Sequence, residues 1–138
     1  MKKPTVLVFG TFDRLHPGHL NFLKQAARYG NVTVVVARDN NVKLVKKHRP
    51  IERERRRLNQ LNRLSIVKQA LLGNKKYTDR YKVLNKIKPN VICLGYDQRE
   101  TLANLRKYLR KVGLLAKVIR LKSHKPRRYK SSLAKKNR

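Results

Sequence analysis

Short runs rich in β-branched residues alternate along this chain with stretches of helical periodicity, and that alternation is its strongest constraint on folding. The runs are Thr5 to Phe9, Val32 to Ala37 and Val91 to Leu94, with weaker ones at Ile66 to Leu72 and Ala116 to Leu121. Each is bounded by turn-forming or charged residues, as expected of a short strand. Between them apolar residues recur three or four apart: Leu20, Leu23 and Ala27; Leu58, Leu61 and Leu64; Tyr81, Leu84 and Ile87; Leu102, Leu105 and Leu109. Near-continuous apolar strands separated by helices predict a parallel sheet buried on both faces, an open doubly wound α/β fold. With 138 residues the chain reads as one domain, 1–138, large enough for a real core.

Charge narrows the partners. There are 37 Lys plus Arg against 7 Asp plus Glu, a formal charge of +30. Such a surface attracts anions, be they nucleic acid, anionic membrane or phosphorylated small molecules. The lone Cys93 excludes a disulfide framework and a cysteine-based zinc site, and its apolar surroundings fit a reducing cytoplasm. No apolar stretch reaches the roughly 18–20 residues of a membrane span, and the run after Lys2 and Lys3 is too short for a signal peptide. A soluble, cytoplasmic protein is expected. The segment 122–138 is rich in Lys and Arg and has no acid, so it is either a mobile tail or an arm ordered by an anion.

Because acids are scarce, their positions are informative. Asp13, Asp39 and Asp97 each follow the end of an expected strand within four residues. In open α/β sheets that edge is where ligands bind, although aspartate is also a common turn and cap residue. Two of the four histidines fall in His16-Pro17-Gly18-His19, directly after the first strand and the turn Gly10-Thr11-Phe12-Asp13. Pro17 suits the first position of a helix, so the motif opens one. Three residues apart, His16 and His19 face one point before the helix N-terminus, where free N–H groups and the macrodipole favour an anion. Gly18 lets a phosphate or base approach the backbone. A metal site from the histidines and Asp13 conflicts with that electropositive helix end, and capping by the histidines is the plainer alternative.

The stretch GTFDRLHPGHL resembles the signature of the HxGH nucleotidyltransferase superfamily, and ARDNNVKLVKKHRPIERERRR, LGYDQ and YKSS extend the likeness in order along the chain. The last two forms resemble archaeal-type FAD synthases more than glycerol-3-phosphate cytidylyltransferases. What the resemblance implies is a Rossmann-like doubly wound sheet and transfer of a nucleoside monophosphate from a triphosphate to a phosphorylated acceptor, releasing pyrophosphate. ATP and FMN are the expected pair, with CTP and glycerol 3-phosphate the alternative. It implies further that Gly10, Thr11, Phe12, His16, Gly18 and His19 hold the triphosphate, with His16, His19 and Lys46 or Lys47 stabilising the transferring group. Asp13 is expected either to face Mg²⁺ or to orient the loop. Asp39 and Arg56 are expected on the acceptor, with Glu54 orienting Arg56 and the other arginines of that run left on the surface. Gly95, Tyr96, Asp97 and Gln98 are expected beside base and ribose, and Tyr129, Ser131 and Ser132 on the phosphates. Relatives of this kind are often dimers, so a homodimer is an implied partner.

A reading from another class, a basic RNA-binding protein that reuses the fold, rests on the +30 charge. Against it, the chain has no Trp and three Phe, too few for a base-stacking surface. Non-specific binding to nucleic acid is expected in either case.

Overall fold

The computed structural model describes residues 3–95 and 98–122, excepting the side chains of residues 99–101. Strands β1 (Thr5–Gly10), β2 (Asn31–Val36), β3 (Val67–Leu72), β4 (Val91–Leu94) and β5 (Lys117–Arg120) form one sheet in the order β3-β2-β1-β4-β5. Every pairing is parallel, with Val6 beside Val32 on one side and beside Val91 on the other. Helices α1 (Pro17–Ala27), α2 (Asp39–Lys46), α3 (Glu54–Asn62), α4 (Val83–Ile87) and α5 (Arg99–Val112) make the connections, with a 3₁₀ turn at Tyr77–Asp79.

Strand alternation sorts the core onto two faces. Val6, Val8, Val32, Val34 and Cys93 pack with Leu23 and Ala26 of α1 and Leu61 of α3. Leu7, Val35, Ile92 and Leu94 pack on the other face with Leu84 of α4 and Leu105 and Leu109 of α5. β1 lies in the middle, and Val6, Leu7 and Val8 have no exposed surface. Truncating Leu7 to Ala in so closed a layer would cost about 2–5 kcal/mol. Burial also pushes the Cys93 thiol up to about 11, so it is a core side chain and not a nucleophile.

All five expected strands form, with ends shifted by a residue or so. Helix α2 matches none of the four apolar periodicities, although a solvated helix face is the plain reading of the basic run from Lys43. It buries one apolar side chain, Val42, and exposes Leu44 and Val45, so it has no apolar stripe to announce it. Asp39 in its first turn and Lys43 and Lys46 in its last complement the macrodipole, and Lys47 closes it in the left-handed region. The strand order places a topological switch beside β1: β2 and β3 continue on one side, β4 and β5 on the other. The carboxyl ends of β1 and β4 therefore frame a crevice. No helix among the described residues is long and apolar enough to cross a membrane.

Candidate active site at the carboxyl ends of the strands

The chain leaves β1 through a loop, 11–16, that is held in an unusual conformation. Phe12 and Arg14 both have positive φ, 53° and 52°, which non-glycine residues adopt only when their surroundings enforce it. The enforcing contacts are specific. Both Asp13 carboxylate oxygens accept backbone N–H groups, from Ile51 at 2.7 Å and Glu52 at 2.8 Å. In return the Glu52 carboxylate accepts the Arg14 N–H at 2.8 Å. Phe12 is buried over Gly10, where any Cβ would collide with its ring. The edge of that ring meets His19, with centroids 5.4 Å apart.

The two histidines form a reciprocal cap at the start of α1. Nδ1 of His16 accepts the N–H groups of Gly18 at 3.1 Å and His19 at 3.4 Å, while the His16 N–H donates to Nδ1 of His19 at 3.4 Å. Acceptance at Nδ1 places each ring's proton on Nε2. The rings stack with centroids 3.7 Å apart. Burial lowers the pKa of His16, and burial, His16 and Lys46 together lower that of His19 to about 4 against the opposing pull of Asp13. At neutral pH both are uncharged donors with fixed tautomers. This refines the sequence expectation. Pro17 has no N–H, and those of Gly18 and His19 are taken by His16, so an anion here meets imidazole Nε2–H groups instead of open backbone amides.

Beside the loop lies a cavity of about 220 Å³ that begins at Gly10 and Thr11 and reaches Gln98 across the switch point. Phe9, Val42, Tyr77 and Tyr81 give it apolar and aromatic walls; Arg38, Lys46 and Arg80 supply positive charge. The Arg80 guanidinium lies 4.0 Å from the Tyr77 ring centroid and 4.7 Å from that of Tyr81, a cationic and aromatic wall. Asn41 donates to the Asn74 carbonyl and Asn74 to that of Asp79, tying α2 to the β3–α4 connection. Sequence reasoning missed this wall. Tyr81 follows a helical apolar pattern, and Tyr77 and Arg80 belong to no recognisable motif. A larger groove, about 890 Å³, lies between α5 and the start of β5 and includes none of these residues.

The structure gathers Gly10, Thr11, Phe12, Asp13, His16, Gly18, His19 and Lys46 around one loop, with Gln98 facing it. Lys47 caps α2 and does not line the cavity. The Gln98 side-chain Oε1 accepts the Gly95 N–H at 2.7 Å, bracing the loop after β4. Arg56 is largely exposed and bonds Glu52 at 3.1 Å. Arg57, left on the surface by the sequence reading, is fully buried and holds Asp39 at 2.6 Å. Asp39 also accepts the Glu54 N–H, and the Glu54 carboxylate accepts the Asp39 N–H, so Glu54 serves Asp39 and Arg38. Tyr96, Asp97, Tyr129, Ser131 and Ser132 lie outside the described residues. No group of three or more His, Cys, Asp or Glu side chains that could hold a metal ion occurs among the described residues. With both Asp13 oxygens engaged by backbone, these residues do not fit a protein-held Mg²⁺.

Residues 7–137 match the cytidylyltransferase-like family. The chain is 49% identical over 117 residues to an FAD synthase of Methanosarcina barkeri, covering 84% of this chain and 81% of the relative. An FAD synthase of Ferroglobus placidus is 44% identical over 124 residues, covering 89% and 78%. Among solved structures, a lipopolysaccharide core biosynthesis protein from Thermoplasma volcanium superposes with a TM-score of 0.81 at 35% identity, covering 88% of this chain and 98% of that one. A pantothenate synthetase from Thermus thermophilus shares the fold alone, with a TM-score of 0.62 at 16% identity over 88% and 56% of the chains.

Proposed function

The chain belongs to the cytidylyltransferase-like family of nucleotidyltransferases, and on that premise we propose that it transfers AMP from ATP to FMN, forming FAD and pyrophosphate. An FMN phosphate oxygen attacks the α-phosphorus in line; the new P–O bond forms as the bond to the β-phosphate oxygen breaks, and pyrophosphate leaves with the electron pair. Charge grows on the transferring group and on the leaving group, so catalysis is a matter of positioning and electrostatics. Nε2–H of His16 and of His19 donate to those oxygens. Being neutral and locked in tautomer by their Nδ1 bonds, the rings need no reorganisation as charge develops. Lys46 adds positive charge at the junction of loop and cavity. A divalent cation belongs to the nucleotide substrate, carried on its phosphate oxygens.

The observation that carries the acceptor's identity is the cavity wall of Phe9, Tyr77, Tyr81 and Arg80 beside the histidine loop. A flat, partly apolar ring such as isoalloxazine gains dispersion and cation–π contact there, whereas a phosphorylated polyol would leave the aromatic part of that wall without complementary contacts. The test is a pyrophosphate-release assay crossing ATP and CTP with FMN and glycerol 3-phosphate. Turnover with ATP and FMN, yielding FAD, is expected; turnover confined to CTP and glycerol 3-phosphate overturns the proposal.

A further inference from the structure

One buried cation ties together the three segments that carry this chemistry. Arg57 sits on the inner face of α3 with no exposed surface. Its Nη1–H donates to the Thr11 carbonyl at 2.8 Å, its Nε–H to the Glu52 carbonyl at 2.9 Å and its Nη2–H to the Asp39 carboxylate at 2.6 Å. Thr11 opens the histidine loop, Asp39 opens the helix that ends in Lys46, and Glu52 lies in the segment clasped to Asp13 and Arg14. A guanidinium stays charged and offers planar, fixed donors, so burying it is tolerable only when those donors are met.

We propose that Arg57 is a positioning residue: it sets the histidine loop against the start of α2, and so sets the triphosphate's α-phosphorus against the acceptor. The inference rests on the reading of that loop as the triphosphate seat. Arg57 cannot touch a ligand, because it is enclosed and its donors end on protein atoms. Asp39 accordingly acts as the Arg57 counter-ion and not as an acceptor ligand. The loop needs such a hold because Phe12 and Arg14 are in the left-handed region, and a displacement of about 1 Å at a reacting group can cost about 10²-fold in rate.

The test uses the full chain with Arg57→Lys, which keeps the charge but not the three-way fork, and Asp39→Asn, which keeps the shape but not the charge. Expected are cooperative melting for both, a fall in kcat of about 10- to 100-fold for Arg57→Lys, and KM values for ATP and FMN within about threefold of the parent. Faster amide hydrogen exchange at Arg14, Ile51 and Glu52 should accompany the loss, a loop readout independent of turnover. Asp39→Asn should follow in the same direction with a smaller fall. Parent-like kcat and exchange in Arg57→Lys overturn the inference, as does an Asp39→Asn effect confined to the KM for FMN. Should Arg57→Lys fail to fold, the Asp39→Asn exchange and kcat–KM pattern decide. A parent enzyme inactive with ATP and FMN would defeat the proposed function alone, leaving exchange to judge the role of Arg57.

Discussion

The stretch from Lys43 to Arg57 and the groove between α5 and the start of β5 are both densely basic, yet the first is built into the site and the groove is not. The first has eight Lys or Arg and two Glu; the second continues a sequence with no acid at all from residue 101 to 138. Around the first, Glu52, Glu54, Asp13 and Asp39 accept backbone N–H groups, and Glu52, Glu54 and Asp39 pair with Arg56, Arg38 and Arg57. Around the second, none of Arg106, Arg110 and Lys117, which line the larger groove, forms an ion pair among the described residues. A charge run becomes architecture only where carboxylates are interleaved closely enough to take its donors out of water. Without them the cations stay hydrated and repel one another.

The hardest blow to the built half is at the histidines. His16→Ala and His19→Ala should each reduce kcat by about 10²–10³-fold in single-turnover measurements, as when one preorganised donor to a developing anion is removed. His16→Asn sharpens the point. Asparagine restores a good N-cap, worth about 1 kcal/mol of stability over alanine, so melting should recover while the rate does not. A rate that recovers with the cap would assign His16 to the helix alone.

Next in size is Asp13→Asn, which weakens the clasp on Ile51 and Glu52. Turnover should fall about 10-fold through misplacement of the loop, while the divalent-cation concentration for half-maximal rate stays unchanged. A large rise in that concentration would make Asp13 a metal ligand. The other half of the comparison is probed by changing Arg106, Arg110 and Lys117 together to Ser. Kinetics with ATP and FMN should not change. Binding to a single-stranded RNA should weaken, and its log–log salt slope should become shallower by about 2 if all three cations neutralise phosphates. An unchanged slope would show that the groove holds no phosphates.

Protons give a milder perturbation. The folded-state pKa of His19 is about 4, below its usual 6.5, so the unfolded chain binds the proton first. His19 therefore favours the folded state fully above pH 6.5, and this contribution is lost as pH falls from 6.5 through 4. Chemical denaturation of the parent and His19→Gln should show their stability difference shrinking over that window. The smallest effect belongs to Arg56→Ala: the Arg56–Glu52 pair is exposed on the arginine side, so loss of about 0.3–0.5 kcal/mol is expected by chemical denaturation. Arg56 does not line the cavity, and the KM for FMN should stay within about twofold. A rise of tenfold or more would return Arg56 to the acceptor site.

The layering and the loop that starts the chemistry are legible in the residue pattern alone. Apolar strands can be buried only on both faces of a sheet, and the periodicities of Leu20 to Ala27 and Leu102 to Leu109 leave their helices one way to pack. His16, Pro17, Gly18 and His19 marked a helix start because local rules suffice there: proline at the first position and a cap before it. Between neighbours of identical type, long-range packing makes the choice. Arg55, Arg56 and Arg57 are indistinguishable by charge, and the turn of α3 that puts Arg57 under Thr11 and Asp39 leaves Arg56 in water. The same holds for the cavity, whose walls come from β1, α2 and the 3₁₀ turn, segments far apart in the chain that only the fold brings together. Local pattern reports which side of an element is apolar; which polar side chain is desolvated depends on partners that arrive from elsewhere in the sequence.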